Sequence, residues 1–150
     1  PAGLRLLGGW TGTPASTSRL VGDVQARKSG RSAHYSDFLT ASTACVATLA
    51  EAFSAGDTAA ILREIRRNRA LLNALSEHTG AVIETPQLRR RVEIAERAGA
   101  AAKSSGAGGG DCGIVLCGAG TDTRAIVRAW REAGIRPLDL SVQPRLAVLG

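Results

Sequence analysis

Residues 106–110 read Gly-Ala-Gly-Gly-Gly, and the apolar run Ile114-Val115-Leu116-Cys117 follows almost at once. A helix does not survive such a stretch, because each glycine costs about 0.8–1 kcal/mol in a helix interior relative to alanine. Lys103–Asp111 is therefore expected to be a loop. Cys112–Cys117, short and apolar, is expected to be the buried strand that this loop feeds. The rest of the chain has to be arranged around that break.

Upstream, Leu4 to Trp10 reads as a strand with Leu4 and Leu6 on one face, closed by Gly8-Gly9. Thr13 then caps a short helix whose first residue is Pro14, since proline lacks the N–H that would go unpaired there; it ends near Lys28–Gly30. A second helix starts around Ser36-Asp37, carries the stripe Phe38, Ser42, Cys45, Leu49 and Phe53, and stops at Gly56. Asp57 caps a third with Ile61, Ile65, Leu72 and Leu75 inward, ending before Gly80. Thr85-Pro86 opens a fourth with Leu88, Val92 and Ala95 inward. Downstream of the loop, Asp122 caps a helix that turns Ile126, Ala129 and Trp130 inward and leaves at Gly134. Ile135–Val142 and Arg145–Leu149 close the chain as strands joined through Gln143-Pro144. The order strand, helices, strand, helix, strand, strand argues for an α+β fold on an antiparallel or mixed sheet rather than a doubly wound one. With no internal repeat and no long linker, residues 1–150 are read as one domain.

A chain of 150 residues buries about 68–70% of its unfolded surface, enough for a core without disulfides or a structural metal. Cys45, Cys112 and Cys117 fit no zinc spacing and are expected to be buried thiols. No uninterrupted apolar run approaches the roughly 20 residues of a membrane span, and PAGLRLLGGW has no basic region before its apolar stretch. The expectation is a cytoplasmic protein that does not contact membrane. The net charge of +6 raises the question of nucleic acid. Yet the clusters Arg63/Arg66/Arg67/Arg69 and Arg89/Arg90/Arg91 are interleaved with Glu64, Glu93 and Glu96 and read as solvated helix faces. Only five aromatic residues, scattered, are on hand to stack bases. No nucleic-acid partner is expected.

The sharpest chemical feature is again the glycine run. Glycines accept positive φ, so successive amides can converge on an anion, and Lys103, Ser104 and Ser105 add a charge and two hydroxyl donors. The pattern is neither a P-loop, which ends in Gly-Lys-Ser/Thr, nor a dinucleotide fingerprint, which opens a helix. Asp111, ending a glycine run, reads as a turn residue rather than as a metal ligand or a group that orients a hydroxyl; His34 and His78 receive no role, and Trp10 and Trp130 are expected to be core anchors. No nucleophile, base and orienting group can be assembled from spacing, so no catalytic and no metal-binding residue is assigned.

The string Lys103–Leu116, KSSGAGGGDCGIVL, resembles the third, C-terminal glycine-rich motif of the GHMP kinases. With Gly9–Ser18, GWTGTPASTS, and Phe38–Ser42, FLTAS, the chain is most similar to the bacterial phosphomevalonate kinase branch of that family. The resemblance implies a ferredoxin-like C-terminal domain whose antiparallel sheet carries its helices on one face. It also implies an ATP- and magnesium-dependent transfer of the γ-phosphoryl group to the phosphate of 5-phosphomevalonate, a step of isoprenoid synthesis by the mevalonate pathway. By matching positions, Lys103, Ser104, Ser105, Gly106, Ala107, Gly108, Gly109 and Gly110 are the implied phosphate contacts. Ser16 and Thr17 join them at a helix N-terminus, where anions are favoured. The family's nucleotide loop, Pro-x-x-x-Gly-Leu-Gly-Ser-Ser-Ala-like, and its acidic catalytic residue are not found in these 150 residues. The chain alone is therefore expected to be inactive and to need an N-terminal kinase domain as partner. The alternatives are a non-catalytic phosphate-metabolite module that pairs with a separate N-terminal chain, or another member of the family such as a mevalonate kinase.

Overall fold

Asp57, Thr85 and Asp122, three of the cap residues picked out in the sequence, sit where helices begin. The computed structural model describes residues 3–12, 14–27, 32–106, 108–110 and 112–142. In order these form β1 (Arg5–Trp10), α1 (Thr17–Arg27), α2 (Ser32–Ala55), α3 (Thr58–Thr79), α4 (Pro86–Arg97), β2 (Ala101–Ser104), β3 (Cys112–Cys117), α5 (Thr123–Glu132) and β4 (Arg136–Leu138). Asp57 accepts from the Ala60 amide at 2.9 Å, Thr85 from that of Leu88 at 3.3 Å, and Asp122 from those of Arg124 and Ala125 at 3.0 Å. Each satisfies amides that the first turn of a helix leaves without a partner.

The sheet is antiparallel throughout, in the order β2-β3-β1-β4. Its register places Leu6 beside Leu116 and Leu116 beside Ala101; one residue along, Leu7 pairs with Val115 and Val115 with Ala102. Neighbouring residues of a strand point to opposite faces, and these two rows belong to two different cores. Leu6, Leu116 and Ala101 pack with Ala52, Ile61 and Ile65 of α2 and α3. Leu7, Val115 and Ala102 pack with Val92, Ile126, Trp130 and Ile135 from the side of α4 and α5. The α+β antiparallel fold is thus as expected, but the single helical layer is corrected: helices cover both faces. Two apolar rows on opposite sides of one sheet both need burial, each large side chain contributing about 1.5–3 kcal/mol.

Other differences are local. α1 begins at Thr17 rather than at Pro14, and the Ser16 hydroxyl accepts from the Arg19 amide at its start; the expected cap Thr13 and residues 28–30 lie outside the described residues. α2 starts earlier, and its inward residue near the end is Ala52, with Phe53 40% exposed. Trp130 is fully buried, whereas Trp10 is only half-buried. The closing strand is Arg136–Leu138, shorter than expected, and Arg145–Leu149 is outside the described residues. Cys45 and Cys117 are buried, Cys112 only partly. Over Ala33–Ala55, α2 has the length and composition to cross a membrane, contrary to expectation. The expectation counted unbroken apolar runs, whereas Thr40, Ser42 and Thr43 interrupt this one without making it polar overall.

Candidate functional site

The glycine run is the tip of a hairpin, because β2, a strand the sequence did not suggest, precedes it and pairs with β3. Lys103 and Ser104 therefore belong to a strand and not to the loop. The Ser105 amide donates to the Cys112 carbonyl at 2.9 Å and closes the hairpin neck. Beyond it Gly106, Gly108, Gly109 and Gly110 all take positive φ, between 77° and 114°, a region that L side chains rarely enter.

The loop is held from two sides. The Gly109 amide donates to the Ile83 carbonyl at 2.9 Å, and a β-carbon on Gly108 would overlap that same oxygen. Gly110 abuts the Thr85 side chain, and its carbonyl accepts from the Thr11 hydroxyl just past β1. Gly108 and Gly110 are thus buried by the α3–α4 connection and the end of β1, while Ser105 and Gly106 are exposed. The run serves packing as well as exposure.

Gly109 lies close to Ala15 and Leu20 and, with Ser16 and Arg19, lines a cavity of about 470 Å³ whose far wall is Gly80–Val82. Ser16 stands at the N-terminus of α1, where its hydroxyl accepts from the Arg19 amide at 3.3 Å and its carbonyl from that of Leu20 at 3.1 Å. A helix N-terminus, a hydroxyl and the Arg19 guanidinium favour an anion in this hollow, and the Asp23 carboxylate, which lines it too, opposes one. The fold therefore brings together Gly109 and Ser16 and adds Arg19, which sequence reasoning missed; its position one turn after the cap was the available signal.

The remaining expected contacts are distributed differently. Thr17 is exposed at the start of α1 and does not line the cavity. The Lys103 ammonium turns back to donate to the Ser104 carbonyl at 2.8 Å, and burial pushes its pKa down, a nearby Cys45 opposing. Ser104 is 5% exposed, on the α4 side of the sheet. Neither is presented to the cavity. Ala107 and Asp111 lie outside the described residues. Among the described residues, no group of three His, Cys, Asp or Glu side chains could hold a metal ion.

Comparison with known proteins places this geometry in a family context. Residues 49–136 match the model of the family described as GHMP kinases C terminal. Over 143 residues, 94% of the chain, the sequence is 44% identical to a phosphomevalonate kinase of Streptomyces sp. strain CL190. The chain spans 38% of that relative's length. Among solved structures, the Lin0012 protein of Listeria innocua superposes with a TM-score of 0.86 at 35% identity, covering 93% of this chain and 39% of that one. A Streptococcus pneumoniae phosphomevalonate kinase in complex with phosphomevalonate and AMPPNP gives 0.76 at 34% identity, covering 91% and 38%.

Proposed function

The chain belongs to the GHMP kinase C-terminal family, and from that premise we propose that it is the C-terminal part of a phosphomevalonate kinase. In this reading a phosphate oxygen of 5-phosphomevalonate attacks the γ-phosphorus of ATP, ADP leaves, and the 5-diphosphate of mevalonate forms in the cytoplasm as a step of isoprenoid synthesis. The observation that carries the reading is the 44% identity sustained over 94% of the chain, with a positive-φ hairpin tip set beside a helix N-terminus.

Catalysis of phosphoryl transfer is mostly positioning and neutralisation of charge. The contribution of this part is to hold the acceptor: Ser16, the α1 amides and Arg19 on one wall of the cavity, Gly109 and its neighbours on the other. Ser105 and Gly106, exposed at the tip, are the further proposed phosphate contacts; Gly108 and Gly110 are buried and dock the loop, and Lys103 and Ser104 support the hairpin from inside. ATP belongs to the same proposal, delivered by an N-terminal nucleotide-binding part. The magnesium of the family reaction finds no ligand set among the described residues, so no step is assigned to it here.

The test is ADP release with ATP, magnesium and either 5-phosphomevalonate or mevalonate. A polypeptide that joins this chain to an N-terminal GHMP kinase part is expected to turn over phosphomevalonate and not mevalonate, and the 150-residue chain alone neither. Preference for mevalonate, or turnover by the chain alone, would overturn the proposal.

A further inference from the structure

Arg91 is fully buried, yet it is a cation in the interior of a sheet-and-helix sandwich. From α4 its side chain runs flat over the sheet at a level where the two central strands both carry glycine, Gly9 on β1 paired with Gly113 on β3. A β-carbon at Gly113 would overlap the guanidinium, and one at Gly9 would come within 3.0 Å of the Arg91 Cδ. The slot exists because both side chains are missing. Through it Nη1 donates to the Gly9 carbonyl at 2.9 Å and Nη2 to the Lys103 carbonyl at 3.1 Å. These carbonyls belong to strands that are not neighbours, since β3 lies between β1 and β2. Opposite Gly9 on β4 stands Pro137, which has no N–H to offer, so the guanidinium supplies a donor at that level.

Both anchored strand ends lead to the glycine loop. Two residues past Gly9, the Thr11 hydroxyl holds the Gly110 carbonyl at one end of the run. Two residues past Lys103, the Ser105 amide closes the other end on Cys112. We propose that Arg91 is a positioning residue for this loop: by lacing β1 to β2 beneath Gly113 it sets the separation of the two ends from which the glycines arch. The proposal rests on the loop's phosphate-binding role only for its functional consequence.

A buried cation is a poor contributor to stability. Among the described residues no carboxylate lies within 4 Å of Arg91, and its Nε has no hydrogen-bond partner. Burial pushes its pKa down to about 10, with Cys112 and Glu84 opposing. Removing the guanidinium relieves the desolvation cost of a buried charge but takes a donor from the Gly9 and Lys103 carbonyls, so a positioning role is separated from a purely structural one by where the loss falls, at the loop or across the whole fold.

The experiment compares the 150-residue chain with Arg91→Met and Arg91→Lys by amide hydrogen exchange, urea unfolding and titration with inorganic pyrophosphate. For Arg91→Met, exchange at Ser105 and Gly109 is expected to accelerate about tenfold, the scale of one lost charge-assisted bond. Exchange at Ile61 and Ile65, on the opposite face of the sheet, changes no more than the shift in urea midpoint accounts for, and pyrophosphate binds about tenfold more weakly. Arg91→Lys, which keeps the charge but cannot reach both carbonyls, recovers only part of the loss. If Arg91→Met fails to fold, the lysine variant decides alone, by faster exchange confined to Ser105 and Gly109. Wild-type exchange at those two amides in a folded variant overturns the proposal. Absence of pyrophosphate binding to the wild-type chain counts against the phosphate reading instead, and leaves the exchange result to judge Arg91.

Discussion

Two glycines of the same loop separate backbone strain from close approach. Gly106 and Gly108 have similar positive φ, 77° and 92°, but nothing stands within 4 Å of a β-carbon on Gly106, whereas one on Gly108 overlaps the Ile83 carbonyl oxygen. Alanine at either position bears the left-handed penalty, about 1–2 kcal/mol. At Gly106 the cost ends there. At Gly108 the obstacle is backbone and cannot rotate away, so the loop has to lift. The Gly109–Ile83 hydrogen bond then goes, worth about 1 kcal/mol net, together with the contact of Gly110 on Thr85. Gly108→Ala should therefore lose about 3 kcal/mol and Gly106→Ala about 1 kcal/mol. Urea unfolding at pH 7 measures both, provided each variant keeps the wild-type slope. Equal losses at the two sites would refute the argument that the loop is docked on residue 83.

Glu84, its side chain 5% exposed, accepts from Arg69 Nε at 2.7 Å and Nη2 at 2.9 Å. Burial drives its pKa upward, but the hydrogen bonds and charges of Arg69 and Arg89 outweigh that and hold it below the usual carboxylate range. Its stabilisation is present above the unfolded-state pKa and lost as pH falls through the lowered folded one, so stability should drop below about pH 4.3. Glu84→Gln should flatten that acid limb and cost about 2 kcal/mol at pH 7, read from urea midpoints across pH. Trp130 is fully buried, and its indole N–H donates to the Arg91 carbonyl at 3.3 Å. Trp130→Ala is expected to lose about 3–5 kcal/mol in thermal unfolding. Burial raises the thiol pKa of Cys45 and Cys117, while Cys112 is partly exposed. An aromatic disulfide reagent should thus label Cys112 quickly and the other two only on unfolding.

What the sequence made legible was the chemistry that acts over a few residues. Asp57, Thr85 and Asp122 were identifiable as caps because a cap needs only its own first turn, and Leu88, Val92 and Ala95 followed from helical spacing. β2 was not legible, since Ala100-Ala101-Ala102 has no strand propensity of its own; pairing with β3 and burial on both faces decide it. The same pairing moves Lys103 and Ser104 off the loop. Arg91 was hidden in a run of three arginines that resembles a solvated face, although its spacing of three from Leu88 and four to Ala95 places it on the inner stripe. What fills the slot depends on Gly9 and Gly113, 82 and 22 positions away, and no local pattern links them. The cavity has the same character: Ser16, Arg19 and Gly109 are brought together only by docking of the loop on the α3–α4 connection.

Titration of the isotopically labelled chain with 5-phosphomevalonate, followed amide by amide, addresses the acceptor-binding role itself. Shifts are expected to gather at Ser16–Leu20, Gly80–Val82 and the glycine loop, saturating together with one dissociation constant. A response centred on the exposed arginines of α3 and α4, or none at millimolar ligand, would contradict it.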